Sequence, residues 1–377
     1  MDFSFTEEQT LLRNTVERFV LDNYEFETRR QMTATEEGRN PANWAQLAEL
    51  GILAAPFSED HGGLGYGATE TMVVMEELGK GLVVDPYFPS IVLGGGLLRH
   101  GGGAIADEVI PQVAMGEDIL AFAYAEPKGR FNLADLETTA KADGGDYVIN
   151  GHKAVVIGAP FATKLLVSTR TSGGVRDADG VTVFVVDAKA DGVSIRSYPT
   201  VDGLRAGEVY FENVKVPANN IVGELDNGLP LIEQVADEAI AALSAEATGA
   251  MKVLTDATVE YSKTRVQFGQ AIGKFQVLQH RMADMFMAHE QSTSMTYMVT
   301  MKLDEDAKTR GMAASAAKVQ IGKAGREVGQ SAVQIHGGMG MTDELNVGHY
   351  FKRLTMIDAQ FGNVDYHLKR YATLSKS

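Results

Sequence analysis

At 377 residues the chain is too long for one ordinary compact core, so two or three packed subregions are expected. Its 34 Lys and Arg against 50 Asp and Glu leave a net charge of −16 without a basic cluster, which excludes an electrostatic grip on nucleic acid or an anionic membrane. The absence of cysteine excludes disulfides, thiolate metal sites and cysteine nucleophiles; with no basic, apolar leader pattern and no apolar run near the roughly 18 residues of a membrane span, a soluble cytoplasmic protein is expected.

From Thr6, a capping residue, Leu12, Val16, Phe19 and Val20 recur at helical spacing and predict a first helix. Further helices are expected around Trp44–Gly51, Thr69–Leu82 and Phe88–His100. Between them, His61-Gly62-Gly63-Leu64-Gly65-Tyr66-Gly67 opens φ > 0 and close approach, and reads as a structural turn or as a ligand-facing loop. Near Ile119 the period changes. Runs at Tyr147–Ile149, Lys164–Ser168, Val181–Asp187, Val193–Tyr198 and Glu208–Phe211 lie between the turn pairs Asn150-Gly151, Gly173-Gly174 and Asp179-Gly180. Their close spacing without helices predicts an antiparallel sheet or barrel.

Beyond Asn227-Gly228 the composition turns to Ala, Met, Glu and Lys, which favours long helices. In one of them Ala317, Ile321, Ala324, Val328, Ala332 and Ile335 form an apolar face of small residues, and the Met-rich run Met282–Met301 is expected to join the same core. The fold class is therefore α+β, in three parts: 1–117 helical, 118–225 β and 226–377 a helical bundle. Without βαβ alternation or a Gly-x-Gly-x-x-Gly that opens a helix after a strand, a Rossmann domain is disfavoured. His336, His349 and His367 lie too far apart for a helix-borne metal pair, and neither Gly-x-Ser-x-Gly nor a phosphate-loop motif occurs.

The pair Gly337-Gly338 ends the helix that closes with Gln334-Ile335-His336, and its bare peptide surface suits a pyrophosphate or adenine as well as a plain helix cap. Arg265 offers planar donors that match phosphate oxygens, while Phe268 and Gln276 offer an aromatic face and an amide for an adenylate. Arg265-Val266-Gln267-Phe268-Gly269, Ile272-Gly273, Phe275-Gln276 and the later Gln-x-x-Gly-Gly together are far more specific than any piece. With the Phe5-Thr6-Glu7-Glu8-Gln9 start, Ala125-Glu126-Pro127 and Asn150-Gly151-His152-Lys153, the pattern resembles the acyl-CoA dehydrogenase family over nearly the whole chain. The segment His349–Asp358 is similar to the pimeloyl-CoA dehydrogenase small subunit group.

The resemblance implies an N-terminal all-helical domain, a central antiparallel β-barrel or sandwich and a C-terminal helical bundle. It also implies FAD as cofactor, an acyl-CoA substrate and an electron-transfer flavoprotein as acceptor. It assigns Arg265, Phe268, Gln276, Gln334, Gly337 and Gly338 to the FAD of a neighbouring subunit. In the implied reaction a carboxylate removes a proton beside the thioester carbonyl while hydride passes to flavin N5. The two positions that carry this base in the family's branches hold Phe361, before Gly362, and Ala239, so no catalytic residue is assigned. Glu238 is adjacent, but one residue along a helix turns a side chain by roughly 100°. Asp358 and Asp365 are the other replacement candidates.

The contacts that the family makes to a chain's own flavin are also altered. Gly-Ser-Asp after Thr-Glu-Pro becomes Arg130-Phe131-Asn132 after Ala125-Glu126-Pro127, and Lys-x-Trp-Ile-Thr becomes Lys153-Ala154-Val155-Val156-Ile157. Aliphatic groups cannot replace the lost hydroxyl donors. The expectation is a non-catalytic small subunit that completes the FAD site of a larger catalytic partner in a heterotetramer. The alternatives are a self-sufficient homo-oligomer with Asp358, Asp365 or Glu238 as base, and a flavin-free acyl-CoA-binding or scaffold subunit.

Overall fold

The structure, a computed structural model, describes residues 4–376. The chain opens with α1 (Glu7–Asn23), α2 (Phe26–Ala34), α3 (Pro41–Glu49) and α4 (Ala68–Lys80). Thr6 caps α1 in a reciprocal box with Gln9, and the buried face holds Leu12, Val16, Phe19 and Val20 as the spacing predicts. The single helix expected over Phe88–His100 is instead a π-helix at Phe88–Gly94 followed by α5 (Gly95–Gly101). The switch falls on consecutive glycines, where a Cβ on Gly94 would lie 2.4 Å from Leu120 Cβ and one on Gly95 2.8 Å from the Phe57 ring. Helix α6 (Ala104–Ala114) follows.

The strands are β1 (Leu120–Ala123), β2 (Thr139–Asp143), β3 (Asp146–Ile157), β4 (Lys164–Arg170), β5 (Val181–Asp187), β6 (Val193–Pro199), β7 (Arg205–Val216) and β8 (Ile221–Val222). They form one sheet in the order β6-β7-β3-β2-β4-β5-β8, with β1 beside β4. Most neighbours are antiparallel, but β1–β4 and the single β2–β4 pair are parallel, which corrects a purely antiparallel expectation. The β2–β3 hairpin separates β1 from β4 in sequence and gives the connection the length that parallel pairing needs.

The Asn150-Gly151 turn is likewise corrected. Both residues lie inside β3, and the hairpin turns at Gly144-Gly145, with φ +62° and +105°. A Cβ on Gly151 would sit 2.3 Å from Thr138 Oγ1, and the β3–β7 register slips there, so this glycine permits a bulge and a close approach. Glu126 of Ala125-Glu126-Pro127 is a core anchor: it accepts from the Glu137 and Thr138 amides at 2.6 and 3.0 Å and from Lys153 Nζ at 2.8 Å. Burial draws the Lys153 ammonium down to about 8 against the pull of Glu126.

The last part comprises α7 (Leu229–Thr264), the short β9 (Val266–Gln267) and β10 (Gln270–Ala271), α8 (Gln276–Met301), α9 (Ala307–His336), α10 (Val347–Ala359) and α11 (Val364–Leu374). Helix α9 buries Ala317, Ile321, Ala324, Val328, Ala332 and Ile335, as its period predicts. The Met-rich run joins that core only in part, along the face by which α8 packs on α9. Met285 is buried, whereas Phe286 and Met287 are 57% and 52% exposed, because consecutive helical residues cannot share one face. The chain forms two compact units, one of Met32–Gly67 and Val84–Ala239, the other of the residues up to Gln31, Ala68–Val83 and Ile240 onward. In the second unit, Glu246 and Arg353 form a buried two-point ion pair at 2.5 and 2.7 Å.

Candidate functional site

The segments that hold the candidate dinucleotide residues meet at one stack. Tyr261, a turn before Arg265, stacks on His336, just before Gly337, with ring centroids 4.2 Å apart. Arg265 then closes the β9–β10 hairpin, its carbonyl accepting the Ile272 amide at 2.9 Å, and the chain enters α8 at Gln276. Val277 of α8 and Gln334 of α9 line the same cleft. Arg265, Phe268, Gln276, Gln334, Gly337 and Gly338 are all exposed.

This corner fits the outer part of a dinucleotide. Arg265 has no ion pair among the described residues, so its guanidinium is available to an anion. A Cβ added at Gly337 or Gly338 would meet nothing within 4 Å, which leaves an open face beside the end of α9. Phe268 and Gly269 turn the hairpin at φ +54° and +80°, left-handed positions that ordinarily call for Asn-Gly, and the Phe268 ring is 90% exposed. A side chain pays about 1–2 kcal/mol for such a backbone. Replacing Phe268 with Asn is therefore expected to leave the lone chain as stable or up to about 1 kcal/mol more stable in urea unfolding. The same variant should weaken FAD retention in the assembled protein; a clear loss of stability without any effect on FAD would assign the ring to folding alone.

The base positions are filled. Ala239 is fully buried, and Phe361 is 8% exposed at φ +54°. The Phe361 segment is clamped: Lys318 Nζ donates to the carbonyls of Asp358, Gln360 and Gly362 at 3.0, 2.6 and 2.7 Å, and His367 Nε2 donates to that of Phe361 at 2.9 Å. Nothing in the sequence marked Lys318, whose role depends on a fold-level approach of α9 to this turn.

Burial, then the charge of Lys318, lowers His367 from 6.5 to about 3, so the folded state holds it neutral. Between those values the unfolded chain binds the extra proton and the folded chain does not, so stability falls as pH drops from 6.5 toward 3. The slope is at most about 1.4 kcal/mol per pH unit. Denaturant titrations over this window should give a shallower pH dependence for His367→Gln than for the parent; equal slopes would remove His367 from the acid response.

The strand expected to face a chain's own flavin offers little to one. Register slips between Lys153 and Val156 leave Ala154 and Val155 opposite Glu208, with Val155 at φ +52° and 47% exposed. Glu208 accepts from His152 Nε2 at 2.5 Å and from the Tyr198 hydroxyl at 2.9 Å, which braces the bulge. Val155, Ile157 and Phe131 supply no side-chain donor, so this part of the chain does not fit the isoalloxazine end of the cofactor.

Among the relocated acids, Glu238 accepts from Arg99 Nη2 at 2.6 Å and from His100 Nε2 at 2.5 Å. Burial raises its carboxyl, but His100 and Arg99 more than offset this and leave it below the usual range, where it is a weak base. Asp358 and Asp365 line the cleft of α8–α11. The glycine loop is a structural turn at Gly63, where a Cβ would lie 2.1 Å from the Phe57 carbonyl. No metal-holding cluster of His, Asp or Glu occurs among the described residues.

Family models for the N-terminal, middle and C-terminal domains of acyl-CoA dehydrogenases match residues 6–117, 121–214 and 226–373. Mitochondrial isovaleryl-CoA dehydrogenase of Pongo abelii is 30% identical over 355 residues, covering 92% of this chain and 84% of that protein. A chain of the ChsE4-ChsE5 complex from Mycobacterium tuberculosis superposes with a TM-score of 0.90 at 26% identity over 100% of both chains. The FAD complex of PigA superposes with a TM-score of 0.91 at 25% identity, over 100% of this chain and 99% of that one. With these three domains in this order, the chain belongs to the acyl-CoA dehydrogenase family of FAD-dependent oxidoreductases.

Proposed function

We propose that this chain is the non-catalytic small subunit of a hetero-oligomeric acyl-CoA dehydrogenase, similar to the pimeloyl-CoA dehydrogenase small subunit group. One observation carries the reading: the corner of Arg265, Phe268, Gln276, Gln334, Gly337 and Gly338 is exposed and open, while both base positions hold hydrocarbon, Phe361 and Ala239. That a similar solved structure is a ChsE4-ChsE5 complex supports pairing with a second, different chain.

In this reading, Arg265 neutralises the pyrophosphate, Phe268 and Gln276 border the adenylate, and the Gly337-Gly338 face admits the dinucleotide without a side-chain clash. Bound FAD supplies the hydride acceptor for α,β-dehydrogenation of an acyl-CoA. The larger subunit provides the glutamate and the isoalloxazine contacts, and an electron-transfer flavoprotein reoxidises the assembly in the cytoplasm. The Phe361 turn, clamped by Lys318 and His367, does no proton transfer.

The test is FAD content and acyl-CoA oxidation of the chain purified alone and after co-expression with a larger homologue. Flavin and activity in the pair alone are expected. A lone chain that carries stoichiometric FAD and turns over would overturn the proposal and point to Asp358, Asp365 or Glu238 as base.

A further inference from the structure

The glycine turn carries a nucleophile, a base and a carboxylate in one hydrogen-bonded line. Ser58 Oγ lies 3.0 Å from His61 Nδ1, and His61 Nε2 lies 2.9 Å from Asp107 Oδ1 of α6. A carboxylate only accepts, so Nε2 carries the imidazole proton and Nδ1 is the bare nitrogen that receives the Ser58 hydroxyl. That is the tautomer a general base needs. Ser58 precedes the 3-10 turn Glu59–His61 but does not bond its amides, the usual task of a serine there; the hydroxyl turns to the imidazole instead. Both supports are fixed. The amides of His61 and Gly63 donate to the Ser58 carbonyl at 3.0 and 2.9 Å, and that of Gly65 to the Phe57 carbonyl at 2.7 Å. Asp107 rides on a helix whose Ile105, Ala106, Val109 and Ile110 are buried. Ser58 itself is exposed and the imidazole is 25% exposed, so a solute and water reach both.

A serine within reach of a base that a third group orients is the signature of nucleophilic catalysis. We propose that Ser58 takes acyl groups from small uncharged esters and thioesters, with His61 as its base and Asp107 as the residue that positions the imidazole. The Ser58 oxygen bonds the acyl carbon, its proton passes to His61 Nδ1, and the C–O or C–S bond of the donor breaks. His61 returns that proton to the leaving alkoxide or thiolate. Water then repeats the sequence on the seryl ester, releasing the acid and restoring the hydroxyl. No electrons are exchanged, so the activity needs neither flavin nor a second chain. The surroundings select the donor's charge: Glu59, Asp60 and Glu108 flank the three residues in sequence, are exposed, and repel the phosphates of a coenzyme A thioester. The substrate class therefore differs from that of the dehydrogenation.

In the experiment the full chain is mixed with p-nitrophenyl acetate, and release of p-nitrophenolate is followed together with the mass of the peptide that contains Ser58. Acetyl on Ser58 is expected, with release roughly a hundredfold faster than for Ser58→Ala or His61→Ala, the scale of one general base. Imidazole in the buffer should restore release in His61→Ala and not in Ser58→Ala, a rescue that a broken loop clip would not show. Asp107→Asn should slow release while keeping the parent's urea midpoint, since this position is exposed. Acetylpantetheine, the same thioester without the phosphates, should acylate Ser58 faster than acetyl-CoA; equal rates would overturn the substrate class. An unmodified Ser58, or equal release from the parent and Ser58→Ala, would overturn the site and leave the three residues as a clip between the turn and α6.

Discussion

Arg265→Ala in the two-chain assembly is expected to raise the dissociation constant of FAD by roughly ten- to a hundredfold, the equivalent of losing a hydrogen-bonded charge contact of about 1.5–3 kcal/mol. The stability of the chain should not change, because the Arg265 guanidinium is exposed and forms no ion pair among the described residues. Arg265→Lys keeps the charge but loses the planar fork, so an intermediate affinity is expected. Flavin fluorescence during dilution of the assembled protein reads both variants. Affinity unaffected by either would remove Arg265 from the cofactor site and leave the open glycine face without its anion partner.

The second large effect is on folding. Glu246→Ala is expected to destabilise the chain by about 3–5 kcal/mol, since it breaks a buried ion pair by removing the carboxylate that Arg353 meets at two points. Glu246 and Arg353 are 6% and 4% exposed and meet at two points, 2.5 and 2.7 Å apart. Glu246→Gln retains the shape and one acceptor and should lose less. Urea unfolding measures both, and a loss under about 1 kcal/mol for the alanine variant would mean that water reaches the pair.

These two arginines show what a sequence discloses and what it hides. Arg265 stood out as a candidate site residue because its neighbours Phe268, Gly269 and Gln276 form a spaced pattern, and α1 and α9 were legible because one face of each is buried at a helical period. The Glu246–Arg353 pair joins residues more than a hundred positions apart, so no local pattern could reveal it. The same limit hid the Tyr261–His336 stack that gathers the corner, and the Lys318 clamp on the Phe361 turn. Asn150-Gly151 misled because the pair that favours a hairpin also suits a bulge, and only the approach of Thr138 separates the two. The methionines of α8 were legible only in part, because composition reports apolar content without saying which residues of a helix face inward: Met285 is buried, whereas Met287 and Met301 are exposed. Counting along the family pattern proposed Phe361 and Ala239 for the base positions; their burial, and the left-handed backbone at Phe361, belong to the fold alone.

The exposed face of α8 also has a chemical side. A chain without cysteine has thioethers as its oxidisable sulfur, and Met287 and Met301 present theirs to solvent at 52% and 48% exposure. Conversion to the sulfoxide makes an apolar side chain polar at little cost to a fold that does not bury it. Peroxide should therefore change the polarity of this surface before it damages the folded chain, and a methionine sulfoxide reductase should reverse the change without refolding.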